Sequence, residues 1–124
     1  MEYNHLINDL YSYLGIDSIC VKEVVNIEYE NGIELNIITN EKNYVKVIIS
    51  KKIECEISHN ELLFITNMNT PQLKGESIIH SINEDNELIL WLRMHINDMV
   101  LNDLLHIMQD MHMKINDIIK SICP

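Results

Sequence analysis

A change of hydrophobic period between residues 87 and 122 constrains the fold of this 124-residue chain more than any other feature. In ELILWLRM, which opens the stretch, apolar residues occupy nearly every position. From Met99 onward they recur every three or four positions, which is the period of an amphipathic helix. The stretch therefore predicts a sheet strand followed by a long helix that begins at Asp98. The strand face is Leu88, Leu90, Leu92 and Met94, and the helix stripe is Leu101, Leu104, Leu105, Met108, Met111, Ile115, Ile118 and Ile122.

The dipeptide Asn31-Gly32 lies between two alternating runs in VVNIEYENGIELNIIT. It is suited to the two positive-φ positions of a type I′ turn, and it is the strongest hairpin signal in the sequence. Side chains two residues apart share one face of a strand. The apolar faces of this hairpin are therefore Val25, Ile27 and Tyr29 on the first strand and Ile33, Leu35 and Ile37 on the second.

The same two periods predict the elements on either side of this hairpin. Helical spacing of apolar residues, ended by Gly15, predicts a first helix from Glu2 to Leu14. NYVKVIIS predicts a third strand with Val45, Val47 and Ile49 on one face. The alternating residues Ile53, Cys55 and Ile57 either prolong that strand past Lys51-Lys52 or form a short separate one.

A short helix and a second hairpin complete the chain. Ser58, with Glu61 three residues later, predicts that SHNELLFITNMN is a helix opened by a capping box. Thr70-Pro71 ends this helix, and Lys74-Gly75 leads into ESIIHSI. That strand, the polar turn NEDN and ELILWLRM predict a hairpin whose first strand alternates through Ile78, His80 and Ile82.

The order of elements indicates the fold class. Hairpins with helices at the ends predict an α+β fold: an antiparallel five-stranded twisted sheet with three helices, in the order α-β-β-β-α-β-β-α. Residues 1–124 contain no linker, repeat or low-complexity stretch, so we expect one domain with helices on one face of the sheet.

The charge of the chain limits its partners. Acidic residues number 19 against 9 basic ones, giving a net charge of -10 that repels phosphate backbones. We expect no binding to nucleic acid or to an anionic membrane, and no membrane span, since no apolar run is long enough. A basic or neutral polypeptide suits this charge better, although acidity can also act only as a solubility device.

The cysteines and the N-terminus indicate the compartment. Cys20, Cys55 and Cys123 are an odd set without CxxC spacing, so the sequence predicts neither a disulfide framework nor a zinc site. MEYNHLINDLYSYLGI has no basic start and no continuous apolar run, so we expect no signal peptide. Together these features favour a reducing cytoplasm.

Residues with catalytic or metal-binding potential are scattered. His106 and Asp110 lie four apart on the last helix, as do His112 and Asn116, but the spacing differs from that of a zinc-binding helix. No cysteine is paired with a base in the sequence, and the glycines are isolated. We therefore expect no enzyme activity, metal or cofactor.

Several apolar residues fall on the wrong face of their strands. If Leu88, Leu90 and Leu92 face the helices, then Ile89 and Trp91 face away, and the same alternation turns Ile48 and Ile79 outward. Polar residues are typical of that face in a sheet with a single core. The pattern predicts a second apolar surface for interaction, or coverage by the short helix or an irregular segment, or a dimer.

The order of these segments resembles the class I type III secretion chaperones, a family of small acidic cytoplasmic dimers. The likeness covers nearly the whole chain through LINDLYSYLGI, VVNIEYENGIELNI, ELLFITNMNT, GESIIHSINEDNELILWLRM and the closing helix. The stretch KKIECEI departs from the family pattern, because it makes the region of the third strand longer and more polar than expected. The YbjN-like family, whose fold is similar, is the alternative and implies a regulatory or protein-binding domain.

The resemblance implies a homodimeric cytoplasmic chaperone that binds the N-terminal segment of a secreted effector without a cofactor. The effector-contact residues that we expect are Leu6, Leu10, Ile33, Leu35, Ile79, Ile89 and Trp91, of which the strand residues are equally suited to the core. In the resembling family the short helix and the following strand lie at the subunit interface, which corresponds here to Glu61 to Asn69 and Glu76 to Ile82. The interface residues that we expect are Leu62, Phe64, Ile65 and Met68.

Overall fold

The computed structural model describes residues 2–15, 24–41, 43–69 and 78–123. Within them, three α-helices and five strands follow one another in the predicted order, and all strand pairs are antiparallel. The strands lie side by side in the order β1-β2-β3-β5-β4. The α+β fold class is confirmed. The elements are α1 (Glu2–Leu14), β1 (Val24–Glu28), β2 (Glu34–Glu41), β3 (Tyr44–Lys52), α2 (His59–Asn67), β4 (Ile79–Ile82), β5 (Glu87–His95) and α3 (Leu101–Ile122).

The core lies between one face of the sheet and the helices α1 and α3. Strands β3 and β5 pair over nine residues each, and every second side chain is buried from Val45 to Ile49 on β3 and from Leu88 to Met94 on β5. The alternation predicted for these strands is confirmed, as is the α3 stripe, most of which is buried and the rest half-buried. The fully buried core includes Ile7, Leu10, Leu35, Ile49, Leu90, Leu104 and Ile115. Among the described residues, no helix is long and apolar enough to cross a membrane.

The first hairpin forms, but its loop is longer than predicted. Asn31 (φ 62°) and Gly32 (φ 74°) both have positive φ, as expected for Asn-Gly. The loop nevertheless has three residues, Glu30–Gly32, because the Tyr29 N–H donates to the Ile33 carbonyl at 2.8 Å. A two-residue loop would shift the register by one and set Ile33 beside Glu30 on the same face. The three-residue loop instead aligns the apolar faces of the two strands.

Helix α3 begins later than predicted. Asp98 lies in a short 3-10 turn, Ile96–Asp98, and the α-helix starts at Leu101. The reason is that Ile96 is buried and its N–H donates to the Asn43 carbonyl at 2.9 Å, which keeps the chain along the sheet. The helix then starts where the Asp103 carboxylate accepts the Val100 N–H at 3.1 Å.

The segment before α2 is not a strand. β3 ends at Lys52 and residues 53–57 are irregular, so both alternatives for Ile53, Cys55 and Ile57, a prolonged third strand and a short separate strand, were wrong. Asn86 holds Ile53 on both sides, since its carbonyl accepts the Ile53 N–H and its side-chain amide donates to the Ile53 carbonyl, each at 2.8 Å. The predicted capping box of α2 is confirmed: Ser58 Oγ accepts the Glu61 N–H at 3.2 Å, and the Glu61 carboxylate accepts the Ser58 N–H at 3.5 Å.

Two of the cysteines form a disulfide, contrary to the sequence-based prediction. Cys55 and Cys123 are bonded to each other across 68 residues, with Cα atoms 5.7 Å apart. The bond connects the irregular segment before α2 to the residue that follows α3. Sequence spacing did not indicate it because only the packing of α3 on the sheet brings the two residues together. Cys20 lies outside the described residues, as does the predicted break at Thr70-Pro71.

Adjacent residues of β5 test which face of the sheet is the core. Leu90 is fully buried under the helices, whereas Ile89 faces the other side and is half-buried. We expect Leu90→Ala to lower the free energy of unfolding by about 2–5 kcal/mol, because it removes buried methyl groups and leaves a cavity. Ile89→Ala, the matched control, should cost clearly less. Urea denaturation measures both, and equal losses would contradict the assignment of faces.

Candidate partner-binding surfaces

The outer face of the sheet carries an apolar patch that no described helix covers. Ile48, Trp91 and Ile79 form one row across β3, β5 and β4, since Ile48 and Ile79 both pair with Trp91. Ile89 lies in the next row, between Ser50 and Ser81. We call these four residues the outer sheet patch. Their predicted outward orientation is confirmed, and Ile79 is 38% exposed.

Cations border the outer sheet patch although the chain is acidic as a whole. The Lys46 ammonium lies 4.8 Å from the ring centroid of Trp91, and the Arg93 guanidinium lies 4.0 Å from that of Tyr44. Stacking of this kind keeps the aliphatic stems of both cations against the aromatic rings. The patch can therefore accept apolar side chains at its centre and carboxylates or carbonyl oxygens at its rim.

The β4 edge of the sheet is closed by a side chain. Asn69, just after α2, uses its amide as a strand would: its Oδ1 accepts the His80 N–H at 2.6 Å and its Nδ2 donates to the His80 carbonyl at 2.8 Å. These are the His80 backbone groups that point away from β5. A further strand cannot pair with β4 at this position unless Asn69 moves.

The β1 edge, by contrast, is open at the corresponding groups. Because Tyr29 and Ile33 form a hydrogen-bonded pair, the alternation of the ladder turns the N–H and C=O groups of Val24, Asn26 and Glu28 outward. No hydrogen bond from the described part of the chain reaches these outward groups. Asn26 uses its side chain on the neighbouring strand, where its Nδ2 donates to Asn36 Oδ1 at 2.8 Å.

His80 is the one buried polar residue of the described core, at 3% exposure. Its Nδ1 lies 3.2 Å from Asn69 Oδ1, while its Nε2 has no hydrogen-bond partner among the described residues. Burial lowers the pKa of His80 below its ordinary value, and the positive charge of Lys114 lowers it further, partly opposed by a hydrogen bond with the Ile78 backbone. His80 is therefore held neutral beside the Asn69 contact.

A groove of about 660 Å³ lies between α1 and the chain that enters α3. Its apolar side is formed by Leu6, Ile96, Met99, Val100 and Leu101. Its polar rim is formed by Asn4, His5, Asn8, Asp9 and Asn97. We call this the α1 groove. Val100 is 61% exposed within it, so the groove has an apolar floor that is open to solvent.

Helix α2 is apolar on more sides than it can bury. Ile65 is 1% exposed and packs into the core, and Met68 is half-buried against it. Leu62, Leu63 and Phe64 are 43%, 46% and 49% exposed. A helix with apolar residues on every side is typical of one that has a second packing partner. Ile65, which we expected at the subunit interface, therefore packs into the core of its own domain.

The predicted effector-contact residues separate into two groups. Ile79, Ile89 and Trp91 lie together on the outer sheet patch, and Leu6 lines the α1 groove, although it is a core residue with only 4% exposure. Leu10, Ile33 and Leu35 have no exposed surface, because they fill the core between α1 and the inner face of the sheet, so this fold offers them to no partner. Of the predicted interface segment, Glu76 and Ser77 lie outside the described residues.

Sequence reasoning missed the Asn69–His80 contact, the α1 groove and the open β1 edge. Asn69 gave no local signal because it bonds a strand eleven residues later. Val100 was visible as an apolar residue off the α3 stripe, and so was Met113, which is 56% exposed. Which edge of the sheet is free depends on the strand order, which hydrophobic periodicity does not contain.

Comparisons with known proteins identify the fold. No protein-family model matches the sequence, and no curated protein matches it either. Among solved structures, the chain is similar to SycH of Yersinia pestis, a type III secretion chaperone in complex with a stable fragment of YscM2. The two are 17% identical, the match covers 90% of this chain and 95% of the other, and the TM-score is 0.75.

Two further matches are components of Pseudomonas aeruginosa complexes. In the heterodimeric ExoU–SpcU complex from the type III secretion system, SpcU is 12% identical with a TM-score of 0.71, and the match covers 95% of this chain and 98% of that one. In the ExoT–SpcS complex, SpcS is 11% identical with a TM-score of 0.70, and the match covers 94% and 96%. YbjN of E. coli is a more distant match, with 11% identity, coverage of 91% and 85%, and a TM-score of 0.54. The chain therefore has the fold of the type III secretion chaperones.

The lowered pKa of His80 predicts how stability depends on pH. Above the ordinary value near 6.5 the histidine is neutral whether the chain is folded or unfolded. Below it the unfolded chain takes up a proton that the folded chain resists, so the free energy of unfolding falls until the pH reaches the folded-state pKa. We expect His80→Leu to lose less stability than the unmodified chain between about pH 7.5 and about pH 5.5.

Urea denaturation at both pH values measures this difference. His106→Gln, at an exposed position on α3, is the control and should keep the full pH response. An unchanged pH response in His80→Leu would show that His80 carries no part of it.

Proposed function

We propose that this chain is a cytoplasmic type III secretion chaperone that binds the N-terminal segment of an effector and keeps it competent for secretion. The observation that carries the proposal is the match to chaperone structures over at least 90% of each chain. In support, the structure combines an apolar outer face, an open groove and one free sheet edge, which are surfaces that an extended polypeptide fits. The net charge of -10 favours a basic or neutral segment.

The bound segment would lie extended across two of these surfaces. Its apolar side chains would enter the α1 groove beside Leu6 and rest on the outer sheet patch at Ile79, Ile89 and Trp91. Alternate side chains of an extended chain point to opposite sides, so an apolar residue at every second position would suit each surface. Leu10, Ile33 and Leu35 would not contact the segment, because they are buried in the core.

Strand addition would take place on β1. The outward backbone groups of Val24, Asn26 and Glu28 provide the donors and acceptors that a new edge strand needs. Asn69 occupies the equivalent groups of His80 on β4. The chain therefore favours one edge of its sheet, and main-chain hydrogen bonds there would bind a segment with little dependence on its sequence.

We propose that the chain is a homodimer through α2. Leu62, Leu63 and Phe64 form an exposed apolar surface, and a twofold contact needs only one self-complementary patch. Ile65 holds α2 on its own subunit, and Met68 is half-buried behind it. Burial of the exposed residues against a second copy would remove from water the apolar side of α2 that the monomer leaves open.

We also propose that the chain acts by binding and not by catalysis, and without a cofactor. His106 and Asp110 are exposed on α3 outside the α1 groove and the outer sheet patch. Replacing His106, Asp110 and His112 together with alanine should leave partner binding intact. Loss of function with the fold preserved would favour an enzyme instead.

Co-purification followed by mass spectrometry tests the proposed function. The tagged chain should recover a secreted protein from cells that express a type III secretion system, and an isolated N-terminal segment of that protein should bind as well as the intact one. A regulator of the same fold, as the YbjN match allows, should need its partner folded. Recovery of no secreted protein under these conditions would contradict the chaperone proposal.

Asn26→Pro tests strand addition at β1. Proline removes the outward N–H and places a ring at the edge, and it is tolerated on edge strands because that N–H has no ladder partner. We expect affinity for the co-purified N-terminal segment to fall about tenfold or more, measured by isothermal titration calorimetry. Asn26→Ala is the control, because it loses the Asn36 contact but keeps the N–H. Equal affinities of the two variants would argue against β1 as the site.

Phe64→Glu tests the dimer. Phe64 is 49% exposed, so a charge there should leave the subunit folded while weakening the twofold contact by about thirtyfold or more. Ile65 is unsuited to this test because a charge at that buried position would unfold the chain. Asn60→Glu, at an exposed polar position of α2, should stay dimeric. Sedimentation at micromolar concentration measures both, and a monomeric unmodified chain would contradict the proposed dimer.

A further inference from the structure

Cys55 and Cys123 connect two parts of the chain that are otherwise weakly joined. Cys55 lies in the irregular segment 53–57, which leads from β3 into α2, and Cys123 directly follows α3. Their Cα atoms are 5.7 Å apart, the usual separation for a disulfide. Cys55 Sγ also lies 3.3 Å from the Ile122 carbonyl, so the last turn of α3 rests on this segment even without the covalent bond.

The bridge matters because α2 has few other attachments. Only Ile65 of α2 is buried, and the Asn69–His80 contact holds the far end of the helix. At the near end, Asn86 fixes Ile53, and four residues then lie between Ile53 and the cap residue Ser58. Cys55 stands in the middle of that interval, so a bond to Cys123 fixes the start of α2 relative to α3.

The bridge can also be reached by small molecules. Both cysteines are half-buried, and an open cavity of about 530 Å³ lies against Cys55, lined by Ile53, Glu54, Glu56, Ile57 and Asn86. Glu54 and Glu56, the chain neighbours of Cys55, are exposed and belong to the lining of this cavity. Two carboxylates in the lining favour a cationic or neutral reagent over an anionic one.

We propose that Cys55 and Cys123 form a reversible thiol–disulfide pair that controls how firmly α2 is held on the domain. The oxidant is a low-molecular-weight disulfide. The thiolate of one cysteine attacks it, forms a mixed disulfide and releases one small thiol; the second cysteine then attacks the protein sulfur of the mixed disulfide and releases the other. The two protein thiols lose two protons and two electrons, and the small disulfide is reduced to two thiols.

The consequence concerns the exposed apolar side of α2. In the oxidised chain the start of α2 is covalently fixed, and Leu62, Leu63 and Phe64 are presented in one orientation. In the reduced chain this end of the helix is held by the Asn86–Ile53 hydrogen bonds and the burial of Ile65. Local opening becomes easier when a segment has few remaining attachments. This inference does not depend on the proposed chaperone function.

The test uses the full chain, equilibrated with cystamine and cysteamine at defined ratios. Alkylation and mass spectrometry should show that Cys55 and Cys123 become protected together in one two-electron transition. Hydrogen exchange should show amides of α2 and of the last turn of α3 exchanging faster in the reduced chain, on the order of tenfold, with β3 and β5 unchanged. The midpoint of thermal unfolding should be lower in the reduced chain by on the order of 10 °C.

Cys55→Ser should exchange like the reduced chain at every ratio, and Cys20→Ser, the matched control, should keep the full redox response. Oxidised glutathione, which is anionic, should react more slowly than cystamine. The proposal is overturned if Cys55 and Cys123 are never protected together. It is also overturned if the bond forms but exchange in α2 is the same in both states, a comparison that needs no variant to fold.

Discussion

Burial of the inner faces of β3 and β5 beneath α3 is the constraint on which the rest of the structure depends. The two strands pair residue for residue over their whole length, and buried side chains alternate with outward ones from Val45 to Ile49 on β3 and from Leu88 to Met94 on β5. Because successive side chains of a strand point to opposite faces, Ile48 and Trp91 lie on the outer face once Ile49 and Leu90 face the helices. Burial of the inner face thus determines which side chains form the outer sheet patch. Because these side chains are apolar, the patch is typical of a surface that binds a partner.

Local signals predicted much of the fold. The limits of α1 and the capping box of α2 depend on residues a few positions apart, and both agree with the structure. The faces of the strands were also predictable, because the period of a strand is two. What was missed depends on distant contacts: the loop length on strand register, the start of α3 on the contact of Ile96 with Asn43, and the disulfide on a pair of cysteines 68 residues apart.

The candidate site was less predictable than the fold. Periodicity showed that Ile79, Ile89 and Trp91 point outward, and the structure groups them with Ile48 in one patch. It did not separate core from surface for Leu10, Ile33 and Leu35, because an apolar residue on the correct face can serve either purpose. Which edge of the sheet is open could not be predicted from the sequence pattern, because it depends on the strand order and on the position of Asn69.

The surface proposed for dimer formation and the edge proposed for strand addition lie at opposite ends of the sheet. At the β4 edge, Asn69 closes the sheet and connects it to α2, whose exposed side suits a second copy of the chain. At the opposite edge, β1 leaves backbone groups free, with the outer sheet patch between the two. A dimer formed through α2 would place the two open β1 edges away from the contact, where each can receive an extended segment.

Amide hydrogen exchange across β1, with and without the co-purified N-terminal segment, shows whether an extended segment binds at this edge. We expect the outward amides of Val24, Asn26 and Glu28 to exchange freely in the chain alone and to become protected in the complex, because an added strand accepts hydrogen bonds from them. Protection confined to other surfaces, with these three amides unchanged, would contradict binding of an extended segment at this edge.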